Sequence, residues 1–258
     1  MPIIKKIVAH MEVLAPALLA EEWDNVGLLI GDAGAQASRV LVALDASAAV
    51  VGQAEMLGTE LIVVHHPLLF SPVKQLVEDG GVVSLARQLI RNRCALIACH
   101  TNLDSAPRGL NFHVGELLGV QNMRPLLSDS GLGRIGTLTT PVTLAAFATL
   151  IAKVLHTNTL KVLGNPQRLI STVALCTGAG GDLFNDARVA GADLFLSSEI
   201  KHHTALLARD ADCAIIDAGH YPTEHSAVAI MAAHLRQLPG IEVIEAVEDD
   251  PWRCVADC

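Results

Sequence analysis

A series of short apolar runs, most of them ending in His, Asp, Glu or Gly residues, most constrains what this chain can fold into. The runs with their polar ends lie at Val40–Ser47, Leu61–Pro67, Ala95–Asp104, Ser171–Asp182, Ala192–His203 and Cys213–His225. Short apolar runs of this kind are typical of buried strands, and the segments between them have helical spacing. Alternating strands and helices predict an α/β fold with mainly parallel sheets and crossover helices.

The strands fall into two groups along the chain, which predict two α/β blocks. We assign residues 1–125 to the first block and residues 126–225 to the second, whose strands follow a joining segment rich in Thr, Leu and Ala. Residues 226–258 contribute a C-terminal helix and strand, which we expect to pack on the first block. Near the amino terminus the spacing predicts a helix over Ile3 to Glu21.

Composition and charge narrow the functional classes. Hydrophobic residues make up 51% of the 258 residues and charged residues only 17%, which favours a folded chain over a disordered one. The formal net charge of -9 argues against general nucleic-acid binding, because neutralising phosphates needs an excess of Lys and Arg. It permits a nucleotide held in one local pocket.

The expected location follows from the absence of targeting signals and from the cysteines. The sequence has no recognisable signal peptide and no apolar run of the roughly 18 residues that a membrane span needs. The 6 cysteines form no CxxC pair, a spacing that fits reduced thiols better than a disulfide framework or a zinc ribbon. We therefore expect a cytoplasmic protein that does not associate with membranes.

The polar clusters follow the predicted strands instead of preceding them, and ligand crevices in open parallel sheets lie at the carboxyl ends of strands. Three strand ends carry candidate metal ligands: His65 with His66, His100 with Asp104, and His220 with Glu224. Imidazole nitrogen and carboxylate oxygen suit divalent zinc, iron, manganese, cobalt or nickel. The pattern therefore predicts a metal site at this edge.

The spacing within these clusters suggests how they bind. Neighbouring residues of an extended strand point to opposite sides, so His65 and His66 are poor co-ligands for one ion. If the chain turns at Pro67, each can bind a different ion of a pair, with a carboxylate bridging the two. His220 and Glu224 share one face if a helix begins at His220.

Other motifs are less informative. "TGAGGD" has the glycines of a phosphate-binding loop but lacks the Lys-Ser/Thr ending and the GxGxxG spacing, so a tight turn is the simpler interpretation. The doublet His202–His203 shows that two adjacent histidines alone are a weak signal. Cys99 precedes His100, but sequence adjacency does not establish a thiol nucleophile.

With these residues in view, the chain resembles the NIF-three-like family, whose members are also called GTP cyclohydrolase I type 2 homologues. "EEWDNVGLLIGD" is similar to the amino-terminal Trp-Asn/Asp-x-Gly-Leu signature of that family. "HHPLLF", "CHTNLDSAPRGLN" and "GHYPTE" resemble its three His-containing segments, in the same order and over nearly the whole chain.

The resemblance implies a dinuclear metal centre in a ring-shaped homohexamer. It implies that the ligands of two divalent ions are His65, His66, Asp104, His220 and Glu224. It places His100 near the site as an outer or acid/base group. "SSEIKHH" is similar to a family segment whose counterparts here are Glu199 and His203, with Ser198 in place of a glycine, and His203 is a second acid/base candidate.

The leading functional hypothesis is a metal-dependent hydrolase. Two divalent ions lower the pKa of bound water to about 7, which makes a nucleophile available at neutral pH. The family name implies a small-molecule substrate such as GTP or another nucleotide, although no residue of the sequence specifies guanine. Two alternatives stay open: a non-catalytic metal-binding scaffold or regulatory oligomer, and a protein that stores or delivers metal ions.

Overall fold

A computed structural model describes residues 1–78 and 80–253 of the chain. The strands, in chain order, are β1 (Gly27–Ile30), β2 (Arg39–Ala43), β3 (Leu61–Val64), β4 (Ala95–Ala98), β5 (Val120–Pro125), β6 (Arg134–Thr143), β7 (Lys161–Leu163), β8 (Leu169–Leu175), β9 (Leu194–Ser197), β10 (Ala214–Asp217) and β11 (Glu242–Glu245). The α helices are α1 (Ile4–Leu14), α2 (Ala48–Leu57), α3 (Val82–Arg91), α4 (Thr101–Ser105), α5 (Leu110–Leu117), α6 (Leu144–Val154), α7 (Phe184–Val189), α8 (His202–Asp210), α9 (His220–Glu224) and α10 (Ser226–Leu235). Two short 3-10 turns cover Ala17–Leu19 and Gly180–Leu183. This alternation confirms the predicted α/β class.

The chain forms two compact units. The first comprises Met1–Leu103 and Ala227–Asp249, and the second comprises Asp104–Ser226 with residues 250–253. The boundary between the two units, after Leu103, thus falls inside the first predicted block of 1–125. The strand β5 belongs to the second unit, where it pairs with β6. In the C-terminal region, β11 pairs with β2 of the first unit.

The first sheet has the strand order β1-β4-β3-β2-β11. β11, β2, β3 and β4 run parallel, and β1 closes one edge antiparallel to β4. Every residue of β3 and β4 is buried, as expected for central strands covered by helices on both faces. The parallel arrangement brings the carboxyl ends of β2, β3 and β4 to one edge of the sheet.

The second sheet is mixed, with the order β5-β6-β8-β9-β10-β7. β8, β9 and β10 are parallel, whereas β5, β6 and β7 each join their neighbours antiparallel. The predicted parallel strands β8, β9 and β10 therefore lie together in this sheet, and antiparallel strands flank them on both sides. The segment rich in Thr, Leu and Ala supplies the long strand β6, the helix α6 and the edge strand β7, and does not simply join two blocks.

Local sequence sets several helix ends. α1 ends at Leu14, earlier than the predicted Glu21, because Pro16 follows and disfavours helical backbone at the residue before it. α2 begins after Ser47, whose hydroxyl accepts a hydrogen bond from the Val50 amide at 3.3 Å, and ends at Gly58 with a left-handed φ of 62°. Among the helices in the described ranges, none combines the length and apolar character that crossing a membrane requires.

Candidate functional site

The first unit brings three histidines together beyond the ends of β3 and β4. Register pairs Val64 with Ala98, so the residues that follow these two strands leave the sheet at the same edge. His65, His66 and His100 each offer a ring nitrogen, and these atoms all lie within 4.8 Å of one another. His65 is fully buried, and the other two are half-buried. We call these residues the imidazole trio.

A bend in the chain lets the adjacent histidines converge. β3 ends at Val64, and the amides of His65 and His66 both donate to the Leu44 carbonyl, at 3.2 and 3.0 Å. The alternation of an extended strand therefore stops before the pair, and the two ring centroids lie 4.9 Å apart. The expectation that neighbouring histidines diverge does not apply, because the chain already bends at the pair itself, before Pro67.

In each ring of the imidazole trio, Nδ1 faces an oxygen acceptor. Nδ1 of His65 lies 2.7 Å from the Cys99 carbonyl oxygen. The corresponding partners are Asp45 Oδ1 for His66 and Asp24 Oδ1 for His100, both at 2.9 Å. A carbonyl or carboxylate oxygen accepts only, so Nδ1 is the protonated nitrogen in each ring. In the neutral imidazole Nε2 then carries the lone pair, and this tautomer is the one that metal-binding histidines in proteins adopt when a hydrogen bond from Nδ1 orients the ring.

Asp24 is a buried anion in this group. Burial alone raises the pKa of its carboxyl, but hydrogen bonds from His100 and Thr101 and the charge of His100 outweigh that effect and lower the pKa to about 2. The carboxylate also accepts the Thr101 amide at 3.0 Å. Asp24 is therefore ionised at neutral pH and holds His100 in one orientation.

The second unit pairs His220 with Glu224 on the short helix α9. The helix begins after Gly219, whose φ of 86° is the left-handed backbone that favours glycine. As the spacing of four predicts, both side chains lie on one face, and His220 Nε2 lies 2.9 Å from Glu224 Oε2. Nδ1 of the same ring donates to Glu199 Oε1 at 2.8 Å. Glu224 is buried.

This pair also fits a bound cation. Because Nδ1 of His220 donates to Glu199, a neutral ring points its Nε2 lone pair at the Glu224 carboxylate, and two lone pairs repel. A proton or a metal ion between the two atoms removes the repulsion. Ligand atoms at about 2.1 Å from one ion and at about a right angle lie about 3 Å apart, close to the spacing of this pair.

The glycine loop after β8 packs against Glu224. Gly178 has a φ of 62°, and a Cβ added there would collide with Glu224 Oε1. The Gly178 amide donates to Thr223 Oγ1 at 3.1 Å, and the Ser198 hydroxyl donates to the Gly178 carbonyl at 2.5 Å. The glycines of "TGAGGD" thus permit a tight turn and a close approach to a buried carboxylate. Glu199, with a φ of 55°, is a strained residue beside the same helix.

Asp104 and His203, the other two predicted site residues, lie outside the groups described above. Asp104 is buried near the end of α4, where the Thr177 hydroxyl donates to its Oδ1 at 3.5 Å. His203 is exposed in the first turn of α8. Among the described residues, neither side chain belongs to a group of three possible metal ligands whose ligand atoms all lie within 4.8 Å of one another. Their roles as ligand and acid/base group stay predictions.

The cysteine beside the imidazole trio is not a nucleophile. Cys99 is buried, and burial raises the pKa of its thiol to about 12. A thiol with such a pKa stays protonated at neutral pH and is chemically inert. Its carbonyl oxygen, not its sulfur, serves the site by holding His65.

Sequence reasoning missed the carboxylates that orient the histidines. Asp45 follows the apolar run of β2 directly, so the strand-end rule that found the histidines could have found it. Asp24 lies within the "EEWDNVGLLIGD" segment, but no local spacing connects it with His100. Only the family resemblance points to Glu199. These contacts join residues that lie far apart in sequence.

Histidines with oriented rings and a buried carboxylate on a two-sheet α/β fold define a protein that could hold metal ions. A model of the Duf34/NIF3 family, NGG1p interacting factor 3, matches residues 2–251. The chain therefore belongs to the Duf34/NIF3 family, as the sequence motifs predicted.

Relatives and solved structures agree with this membership. A Streptomyces coelicolor protein named GTP cyclohydrolase 1 type 2 homolog is 33% identical, covering 98% of this chain and 94% of its own length. A Clostridium perfringens protein of the same name is 34% identical over 86% of each chain. The crystal structure of a Staphylococcus aureus hypothetical protein is 28% identical, with a TM-score of 0.89 over 98% of this chain and 99% of its own.

Proposed function

We propose that the protein is a metal-dependent hydrolase of the kind its relatives' name describes, GTP cyclohydrolase 1 type 2. Two divalent ions per chain activate water, and the substrate is a nucleotide or a related small molecule. The proposed ligands are those that the family resemblance implies: His65, His66, Asp104, His220 and Glu224. His100 is the proposed acid/base group.

One observation carries this proposal: four histidines in the two units are oriented in the same way. His65, His66 and His100 in the first unit, and His220 in the second, each direct Nδ1 to an oxygen acceptor within 2.9 Å. Histidines that serve only in packing have no common reason to share this pattern. Histidines that bind metal through Nε2 do, because the second hydrogen bond fixes the tautomer and the ring orientation.

The ions and the protein have separate tasks in the proposed reaction. A bound divalent ion supplies Lewis acidity, which lowers the pKa of water and polarises a substrate carbonyl or ring position. The protein fixes the imidazole rings and excludes competing tautomers. His100, held by the anionic Asp24, is suited to move a proton between water and the leaving group.

The proposal that the substrate is a nucleotide rests on the names of the relatives and on the size of a cavity in the second unit. In the second unit, His220 and Glu199 line a cavity of about 1650 Å³ that is also bordered by Lys153 and Lys161. Ligand pockets for small molecules typically measure about 300–1,000 Å³, so this cavity has room for a nucleotide. Lys153 supplies positive charge for an anionic substrate, whereas Lys161 is already paired with Asp217 at 3.3 Å.

Metal analysis of variants tests the ligand assignment. We expect His65→Ala and Glu224→Ala each to abolish bound metal while the far-UV circular dichroism stays close to that of the wild type. His202→Ala is the matched control, because it removes one histidine of a second, exposed doublet. Full metal occupancy in both ligand variants would refute the assignment.

A substrate screen tests catalysis separately. Metal-loaded protein is incubated with GTP, other nucleotides, phosphoesters and amides, with Asp104→Ala as the background. Turnover above that background identifies the substrate class. If all of these compounds fail while metal stays bound, a scaffold or a metal-handling role becomes the better description.

Two further proposals follow from the family alone. We propose a homohexamer and a cytoplasmic location. Light scattering coupled to size-exclusion chromatography measures the oligomeric state, and a monomeric mass at micromolar concentration would argue against the hexamer.

A further inference from the structure

Two exposed aromatic side chains flank the imidazole trio in the first unit. Trp23 is 58% exposed and Phe70 is 54% exposed. Their ring centroids lie 5.7 Å apart, and each lies near the His100 ring, at 6.0 and 6.3 Å. We call Trp23 and Phe70 the aromatic pair.

Trp23 and Phe70 are exposed side by side, whereas the other exposed tryptophan, Trp252, belongs to the second unit. The sequence contains only 5 Phe and 2 Trp. Phe147, Phe184 and Phe195 are buried, as large apolar side chains generally are. Leaving an indole and a phenyl ring side by side in water forgoes much of the stabilisation that burial of aromatic area provides. A ligand that covers them would restore it.

The rings of the aromatic pair and of His100 are inclined to one another. The planes of Trp23 and Phe70 are inclined by 53°, and His100 is inclined to them by 75° and 72°. None of the three rings therefore lies flat on another. The two exposed rings therefore do not cover each other's faces by stacking.

The backbone around the aromatic pair is held in place. The Glu21 amide donates to Thr101 Oγ1 at 3.0 Å, before the tryptophan. After it, Asp24 is fixed by His100 and Thr101, and the Asn25 side chain donates to the Leu69 carbonyl at 2.6 Å. The last bond ties the loop of the indole to the loop of Phe70. The pair is thus positioned before any ligand arrives, which reduces the entropy lost on binding.

We infer that the aromatic pair is a stacking site for the planar heteroaromatic ring of the substrate, a fused ring of the purine or pterin class, beside the imidazole trio. An indole face binds any such ring through stacking, and the neighbouring imidazoles lie close enough for chemistry at its edge. This inference rests on the proposed function for the identity of the ligand as a substrate. The binding site itself rests on the geometry of the pair.

Tryptophan fluorescence tests the inference without needing turnover. In a Trp252→Phe background, Trp23 is the sole tryptophan, because the chain has only 2. GMP is the probe, and ribose phosphate is the control that lacks a ring. Fluorescence is excited at the red edge of the indole absorption, where guanine absorbs little. We expect saturable quenching of metal-loaded protein by GMP and none by ribose phosphate.

Substitutions then measure the contribution of each ring. By calorimetry, Trp23→Ala should weaken GMP binding about 5- to 150-fold, the range that loss of one stacked aromatic produces. Trp23→Phe and Phe70→Leu should weaken it less. Val189→Ala should leave the affinity unchanged, since that exposed side chain lies outside both the aromatic pair and the cavity of the second unit. Metal content and circular dichroism establish that the variants keep their fold and their ions.

The outcomes separate this inference from the proposed function. Binding that depends on Trp23 without turnover of any nucleotide supports the stacking site and rejects the hydrolase. Turnover with an affinity that Trp23→Ala leaves unchanged rejects the stacking site and keeps the hydrolase. A change in oligomeric state with unchanged GMP affinity would show instead that the pair is a contact between copies of the chain, which also overturns the inference.

Discussion

At the scale of single residues, the position of His100 depends on Asp24. The Asp24 side chain has no exposed surface, and it accepts hydrogen bonds from His100 Nδ1, the Thr101 amide and the Thr101 hydroxyl at 2.9, 3.0 and 2.5 Å. These bonds explain why its pKa falls to about 2 although burial opposes ionisation. The carboxylate therefore fixes the positions of both His100 and Thr101.

We expect Asp24→Asn to lower the free energy of unfolding by about 2 kcal/mol, because the amide NH2 group would face donors in a buried place. The lowering of the carboxyl pKa from 3.8 to about 2 corresponds to a similar free energy. Urea unfolding at neutral pH measures the change.

Glu22→Gln is the matched control for this substitution. It removes the same charge from an exposed neighbouring residue, so a change within about 0.5 kcal/mol is expected. Equal effects of the two substitutions would show that net charge, and not the buried hydrogen bonds, determines the loss.

Sequence reasoning found some of these residues and missed others for a physical reason. His65, His66 and His220 were predicted as site residues because they follow apolar runs, a local feature. Asp24 and Glu199 act through side chains whose partners lie far away in sequence, and the periodicity of a sequence does not reveal such contacts. The assignment of ligands among the histidines and carboxylates stays a prediction.

At the scale of elements, α1 and α10 are joined by a reciprocal histidine pair in the first unit. His10 and His234 stack with their ring centroids 4.1 Å apart and their planes inclined by 14°. Nε2 of each ring donates to the backbone carbonyl of the other residue, at 2.9 and 2.8 Å. The arrangement suits two neutral rings, because two imidazolium ions at this distance would repel.

We expect this pair to weaken the fold in mild acid. Burial lowers the pKa of His234 below its usual value of 6.5, and the charge of His10 acts in the same direction, although the hydrogen bond to His10 opposes them. The unfolded chain then binds more protons than the folded chain as pH falls through about 6.5, so this stabilisation is present above that pH and is lost below it.

The difference between the wild type and His234→Gln isolates this effect, because glutamine can still donate to the His10 carbonyl. Urea midpoints at about pH 7.5 and pH 5.5 should fall more steeply in the wild type than in the variant. His202→Gln, an exposed control, should follow the wild type. An identical slope in His234→Gln would show that other groups cause the acid sensitivity.

The elements also show how far the sequence predicts the fold. The buried runs of β3, β4, β9 and β10 were predictable because both faces are covered and almost every residue is apolar. The strand β6 was not, since its burial fades after three residues and much of it is exposed. Its antiparallel pairing with β8 depends on tertiary contacts, which a Thr-rich sequence does not specify.

At the scale of the whole molecule, candidate ligands lie in both compact units. The imidazole trio belongs to the first unit, and the His220–Glu224 pair belongs to the second. The trio gathers three ring nitrogens, and in the second unit the His220 Nε2 lone pair faces the Glu224 carboxylate, where a cation relieves electrostatic repulsion. Metal binding is therefore expected to stabilise the folded chain, because the unfolded chain does not hold these groups together.

A ligand that binds only the folded state at about 100 times its dissociation constant adds about 2.7 kcal/mol of stability per site. In a chain of this size each kcal/mol raises the unfolding midpoint by about 2–4 °C, so we expect each bound ion to raise the midpoint of metal-loaded protein by about 5–10 °C over that of chelator-treated protein. Two units can unfold in separate steps, so every transition is followed by calorimetry. Glu224→Ala should lose the metal-dependent shift, whereas His202→Ala should keep it. A shift of equal size in Glu224→Ala would mean that the stabilising ion binds elsewhere on the chain, and no shift in the wild type would remove metal binding as the basis of the proposed function.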